Sequence, residues 1–121
     1  MAHKRILSFQ YAFSGIIAAL KKEPHLKFHF FAGLMVILAG LFFHLTKTEW
    51  FVVVLTIGLV ISLELTNTAI EEVVDAFTQE HHPGAKFAKD VSSGAVLVAA
   101  ITATVIAFMI YLPHLWKLFY S

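Results

Sequence analysis

Apolar residues fall into three long runs along the chain. From Phe28 to Leu45 the polar interruptions are His29 and His44, one at each end, and from Trp50 to Leu63 nothing is charged before the run meets Glu64. From Val91 to Leu112 there is again no charge, and as a helix that stretch is roughly 33 Å long, enough for a hydrocarbon core of about 30 Å. An isolated strand cannot satisfy its backbone polar groups in lipid, so all three runs are read as membrane-spanning helices. The expected spans cover about residues 27–45, 50–78 and 90–113, with Asp90 as the N-cap of the third, Ser92 and Ser93 following it, and Pro113 just past its end.

The second run needs explanation. Its apolar part reaches only about 21 Å, so a full span must continue through Glu64 and Asn67 to about Ile70. With Glu64 at the origin of a helical wheel, Asn67, Glu71 and Asp75 fall within an arc of roughly 80°, while Glu72 lies off it. A carboxylate at membrane depth is costly and faces protein or water, so this stripe is the candidate functional site. The competing structural role is pairing with Lys89 or another cation to lock helices together.

Before the first span, Ile6, Phe9, Phe13, Ile16, Ile17 and Leu20 share one helical face over about residues 5–22. This predicts an amphipathic surface helix, with Lys21 and Lys22 at its C-terminal end favouring the helix dipole and anionic lipid. Ser8, Gln10 and Ser14 interrupt the apolar stretch, which argues against a secretory signal. Lys4, Arg5, Lys21, Lys22, Lys27, Lys86 and Lys89 lie on one side of the expected membrane, against Lys47 and Lys117 on the other. The N-terminus and the loop from Glu71 to Asp90 are therefore expected in the cytoplasm and the C-terminus outside.

Composition agrees with this reading. The 121 residues are 59% hydrophobic and 14% charged, which excludes an ordinary water-soluble globule and fits one membrane domain over residues 1–121. The formal charge of +1 implies no nucleic-acid partner, and without cysteine there is neither a disulfide nor a thiolate site. His81-His82-Pro83-Gly84 is a strong turn signal, and its adjacent histidines make a poor metal pair.

Several acids at one membrane edge suit a hard divalent cation such as Mg²⁺, which takes one or two carboxylates and completes its shell with water and phosphate oxygens. Glu71 is one candidate ligand, and Glu23, at the junction of the surface helix and first span, is another. Lys89 is either a snorkelling anchor or a cation facing phosphate. Neither glycine-rich nucleotide signature occurs, and Ser62, Thr66 and Thr68 are better read as helix-packing hydroxyls than as nucleophiles.

Glu64-Leu-Thr-Asn67-Thr-Ala-Ile-Glu71-Glu-Val-Val-Asp75, followed by Glu80-His-His82-Pro-Gly-Ala-Lys-Phe-Ala-Lys89-Asp90, resembles the signature of the small bacterial diacylglycerol and undecaprenol kinases. The resemblance extends over nearly the whole chain. It implies an all-α integral membrane fold, a surface helix plus three transmembrane helices, assembled as a homotrimer in the bacterial cell membrane. It also implies phosphoryl transfer from ATP, with Mg²⁺, to a lipid alcohol. By position, Glu64 resembles the general base, Glu23 and Glu71 the Mg²⁺ ligands, and Asn67 and Lys89 the groups near the transferring phosphate. Tyr11, Glu23, Glu71, Asp75, Glu80, His82, Lys89 and Asp90 match the nucleotide site. In the diacylglycerol branch a second Glu usually follows Glu23 by six residues; here that position is His29, which resembles the Gram-positive undecaprenol kinases and places His29 with Glu64 at the lipid substrate. Undecaprenol is accordingly the expected acceptor, diacylglycerol the alternative, and a proton or cation transporter subunit the remoter one. Gly33, Gly40, Gly58, Ala95, Ala99, Ala100 and Ala103 offer small surfaces for close helix approach and self-association.

Overall fold

A computed structural model describes residues 2–120, and these form four α-helices in chain order: α1 (Ala2–Lys22), α2 (Pro24–Phe43), α3 (Lys47–Phe77) and α4 (Pro83–Tyr120). The last three are long and apolar enough to cross a membrane. A single residue, Glu23, separates α1 from α2; its extended backbone (φ −106°, ψ 109°) ends one helix, and Pro24 at the next position starts the other.

The α2–α3 connection is a tight hairpin. His44 takes the left-handed conformation (φ 54°), and its N–H and that of Leu45 both return to the Gly40 carbonyl, which closes α2. Thr46 then caps α3 reciprocally: its Oγ1 accepts from the Glu49 N–H at 3.2 Å, and Glu49 Oε1 accepts from the Thr46 N–H at 3.0 Å. Gly40 is buried here because Trp50 and Leu45 cover it. A β-carbon at this position would sit 2.8 Å from Trp50 Cη2 and 3.0 Å from Leu45 Cδ1. Gly40→Val is therefore expected to destabilise the hairpin by about 1–3 kcal/mol, the usual cost of overpacking, read as a lowered unfolding free energy in micelles.

Burial follows helical spacing. Leu26, Gly33 and Gly40 are the buried positions of α2, and Val53, Val60 and Glu64 those of α3. Seven-residue steps on α2, and from Val53 to Val60, give a continuous seam in which Gly33 lets Ile57 approach. On α4 the buried residue is Ser92. Outside this seam many large apolar side chains are exposed, among them Phe31, Leu55, Val98 and Met109, a surface suited to lipid or to other helices rather than water. At the end opposite the acidic stripe, His114 Nε2 meets Glu49 Oε2 at 2.9 Å and the Tyr111 hydroxyl donates to the Val36 carbonyl at 2.6 Å, which tie α4 to the hairpin.

Two expectations about the third span are corrected. Pro113 does not end it: α4 continues to Tyr120. Proline removes one backbone N–H from the helix, a loss that neighbouring groups near a membrane boundary can absorb. Nor is Asp90 its N-cap. The helix begins at Pro83, where proline at the first helical position needs no N–H partner, so Asp90 lies inside it and pairs with Lys86 one turn earlier. The cap is His82, whose Nδ1 accepts from the Ala85 N–H at 3.1 Å.

Candidate functional site

The stripe expected on α3 becomes a polar column. Glu64, Asn67, Glu71 and Asp75 recur at three- and four-residue steps, covering roughly 16 Å of helix. Each level of the column has its own partners.

At the deepest level Glu64 is only 5% exposed, and its Oε1 lies 3.0 Å from Nε2 of His29 on α2. The Glu64 carbonyl also accepts from Thr68 Oγ1 at 3.0 Å, so that hydroxyl closes on its own helix, as Thr66 does on Ser62. One turn on, Ser92 of α4 donates to Asn67 Oδ1 at 2.6 Å, while Asn67 Nδ2 makes a longer contact, 3.4 Å, to Glu71 Oε1. Asn67 is thereby fixed from both sides. Because interhelical hydrogen bonds in membrane proteins average about 0.6 kcal/mol and reach about 1.7, Ser92→Ala is expected to cost no more than that in stability. Thermal unfolding of the variant in micelles measures that cost.

At the C-terminal end of α3, Lys89 of α4 donates to Asp75 Oδ1 at 2.9 Å. Asp75, Glu80, His82, Lys89 and Asp90, all expected around a nucleotide, line one cleft of about 300 Å³ between the end of α3 and the start of α4. His82 holds its place as the α4 cap, and Gly84 leaves room for it: a β-carbon there would stand 3.0 Å from His82 Cε1.

Tyr11 is not brought to that cleft. It lines a separate one, between α1 and α3, with Lys22 and Glu72. Lys22 and Glu72 form an ion pair that fastens α1 to α3, and this hydrogen bond holds the Lys22 ammonium above the ordinary lysine range against the opposing effect of desolvation.

The carboxylates expected to hold Mg²⁺ are suited to it by chemistry. Glu23 precedes α2 but spends no side-chain hydrogen bond on capping it, and Glu71 receives a long contact from Asn67. Both offer hard oxygen donors. Among the described residues no three His, Asp or Glu side chains converge into a complete protein cage.

Sequence reasoning missed the Ser92 contact and the Lys22–Glu72 clamp. Ser92 follows Lys89 by three residues and so shares its helix face, a spacing that could have pointed it at α3. Glu72 had been set aside for lying off the stripe, yet that is the side on which α1 packs.

Fold and site together define a helical membrane protein organised around a carboxylate buried between its spans. A sequence profile for prokaryotic diacylglycerol kinase matches residues 10–111. Undecaprenol kinase of Bacillus subtilis is 44% identical over 108 residues, covering 89% of this chain and 88% of its own. Diacylglycerol kinase of Synechocystis is 41% identical, over 98% of this chain and 68% of its own, and that of Escherichia coli strain K12 is 30% identical over 78% of each. The chain belongs to the prokaryotic diacylglycerol kinase family.

Proposed function

We propose that this protein is a membrane lipid kinase that transfers the terminal phosphate of ATP to undecaprenol, with Glu64 as the general base. The observation that carries the reading is the column itself: a buried carboxylate at its lipid end and a cleft with a lysine at the other. The 44% identity to an undecaprenol kinase, and histidine at position 29, favour the polyprenol over diacylglycerol.

A lipid alcohol stays anchored by its hydrocarbon and brings its hydroxyl to the membrane edge, so the base must lie deeper than the nucleotide. Glu64 is the deepest acid of the column. Phosphoryl transfer depends on positioning and charge neutralisation more than on covalent catalysis. Asn67, held by Ser92 and Glu71, presents its amide where the phosphate passes, and Lys89, kept close by Asp75, supplies a mobile positive charge. Asp75, Glu80, His82 and Asp90 shape the nucleotide cleft, while Tyr11 stands apart from it on α1. Glu23 and Glu71 would hold Mg²⁺, which offsets the negative charge of the phosphates when bound.

The surface helix lies in the inner interface of the bacterial cell membrane, its apolar face, with Phe9 and Phe13 exposed, turned into lipid. The excess of lysine and arginine around the column puts the N-terminus and active site in the cytoplasm and the C-terminus outside. Three spans cannot enclose a lipid and a nucleotide alone, and self-association, as a homotrimer, supplies the rest. Gly58, with no neighbour within 4 Å of a built β-carbon, is one place for close helix approach between copies.

Purified protein in mixed micelles, given labelled ATP and Mg²⁺ with undecaprenol or diacylglycerol separately, tests this. Preferential labelling of undecaprenol is expected. Preference for diacylglycerol would keep the chemistry and overturn the substrate; labelling of neither lipid by folded protein would overturn the whole reading.

A further inference from the structure

Glu23 and Glu71, the two carboxylates proposed for Mg²⁺, come from different parts of the fold. Glu71 is fixed within α3, whereas Glu23 is the one-residue joint between α1 and α2. Its N–H donates to the Ala19 carbonyl at 2.9 Å and its carbonyl accepts from the Lys27 N–H at 3.3 Å, so its backbone is tied to both helices. The place of Glu23 therefore follows the placement of α1, and no residue of α1 is buried. Packing within this chain holds the surface helix only loosely. Among the described residues, the polar contact between α1 and α3 is the ion pair of Lys22 with Glu72.

That pair is bracketed by the two carboxylates. Lys22 immediately precedes Glu23, and Glu72 immediately follows Glu71. Consecutive residues on a helix point about 100° apart, so Glu72 faces α1 while Glu71 stays in the column. A cation docked on Glu72 brings the α1–α2 joint to the flank of the column at the level of Glu71. Glu23 and Asp75 also lie within electrostatic reach of the Lys22 ammonium, which places it at the acidic edge of the column. We propose that the Lys22–Glu72 pair is a positioning device for the metal: it holds the α1–α2 joint against α3 and so sets the separation of the Glu23 and Glu71 carboxylates. This rests on the lipid kinase reading with Glu23 and Glu71 as ligands, and adds two residues that act through them.

The size of the effect can be bounded. Mg²⁺ demands near-ideal octahedral geometry, so two carboxylates serve one ion only when their separation is held within a narrow range. A clamp improves apparent affinity by raising the fraction of molecules in the competent arrangement, and by no more than its own strength. The two side chains are 61% and 52% exposed, and exposed ion pairs are weak, so the expected gain is about fivefold. That is smaller than the loss expected from removing a ligand itself.

Mn²⁺, a paramagnetic cation that also takes oxygen ligands, reports this without turnover. Its binding is titrated by electron paramagnetic resonance in micelles, with an ATP analogue whose terminal phosphate cannot be transferred. Lys22→Met and Glu72→Gln are each expected to weaken Mn²⁺ binding about fivefold, and Lys22→Glu combined with Glu72→Lys to restore it. In turnover assays the single variants should need more Mg²⁺ for half-maximal rate yet reach the wild-type kcat at saturation. Hydrogen exchange of amides near the end of α1, in the metal-free protein, should quicken in the single variants and recover in the reversed pair. Wild-type Mn²⁺ binding by Glu72→Gln would overturn the proposal, since a charge at Lys22 acting directly on phosphate needs no partner at Glu72. A reversed pair with wild-type thermal unfolding that binds no tighter than the single variants would overturn it too; where the reversed pair does not fold, Glu72→Gln decides. Glu71→Gln, titrated alongside, tells the failures apart. If it also binds Mn²⁺ as wild type does, the ligand assignment fails; if it alone loses binding, the clamp fails.

Discussion

Glu64→Gln is expected to reduce lipid phosphorylation by about 10²–10⁴-fold, the range associated with loss of positioned acid–base catalysis. Glutamine fills the same volume at this buried position and keeps an oxygen that can accept from His29, so the packing between α2 and α3 survives. What it loses is the negative charge. Burial sharpens this, because a carboxylate that is 5% exposed cannot be replaced functionally by water drawn from the surface. The loss should appear in kcat, while nucleotide binding, some turns away in the cleft around Lys89, stays within about twofold of wild type. Steady-state kinetics with undecaprenol, alongside ATP binding and thermal unfolding, separates a catalytic loss from a folding defect. A Glu64→Gln enzyme retaining a tenth or more of wild-type turnover would remove this residue from proton transfer.

Glu71→Gln is expected to act on the metal instead. The substitution retains an oxygen towards Asn67 Nδ2, so that contact is preserved, but removes one of the two formal charges proposed to hold Mg²⁺. Loss of an outer-shell partner alone typically costs about 10–100-fold in metal affinity or activity, and a direct ligand should cost at least as much. The Mg²⁺ concentration giving half-maximal turnover should therefore rise tenfold or more, and chelation of Mg²⁺ should abolish turnover in the wild type. Titration of activity with Mg²⁺ at saturating ATP measures this. Overlapping curves for mutant and wild type would assign the metal to other groups.

The spans were legible in the sequence because charge-free runs of that length have few alternatives, and Glu64 stood out because nothing apolar explains it. Ends were harder. Pro113 reads as a stop in a water-soluble helix, and Asp90 reads as a cap, yet α4 passes through both, since its start had already been set by His82 and Pro83. The Thr46–Glu49 capping box was present in the spacing and went unused. Contacts between helices were the least legible part. Whether Ser92 reaches Asn67, or Glu72 reaches Lys22, depends on the rotation of each helix about its axis, which a face of small or apolar residues constrains only loosely.

In the proposed arrangement the column on α3 joins two different solvents, and so two different concentration scales. On the reading proposed above, an alcohol dissolved in the bilayer reaches Glu64 by lateral diffusion, whereas the nucleotide arrives through water at the opposite end. Turnover therefore tracks the mole fraction of the alcohol in the membrane, and added inert lipid slows the enzyme even when the total amount of substrate per millilitre is held constant. An amphiphile that competes with the alcohol is expected to gain potency from its partition coefficient and to leave the ATP dependence unaltered.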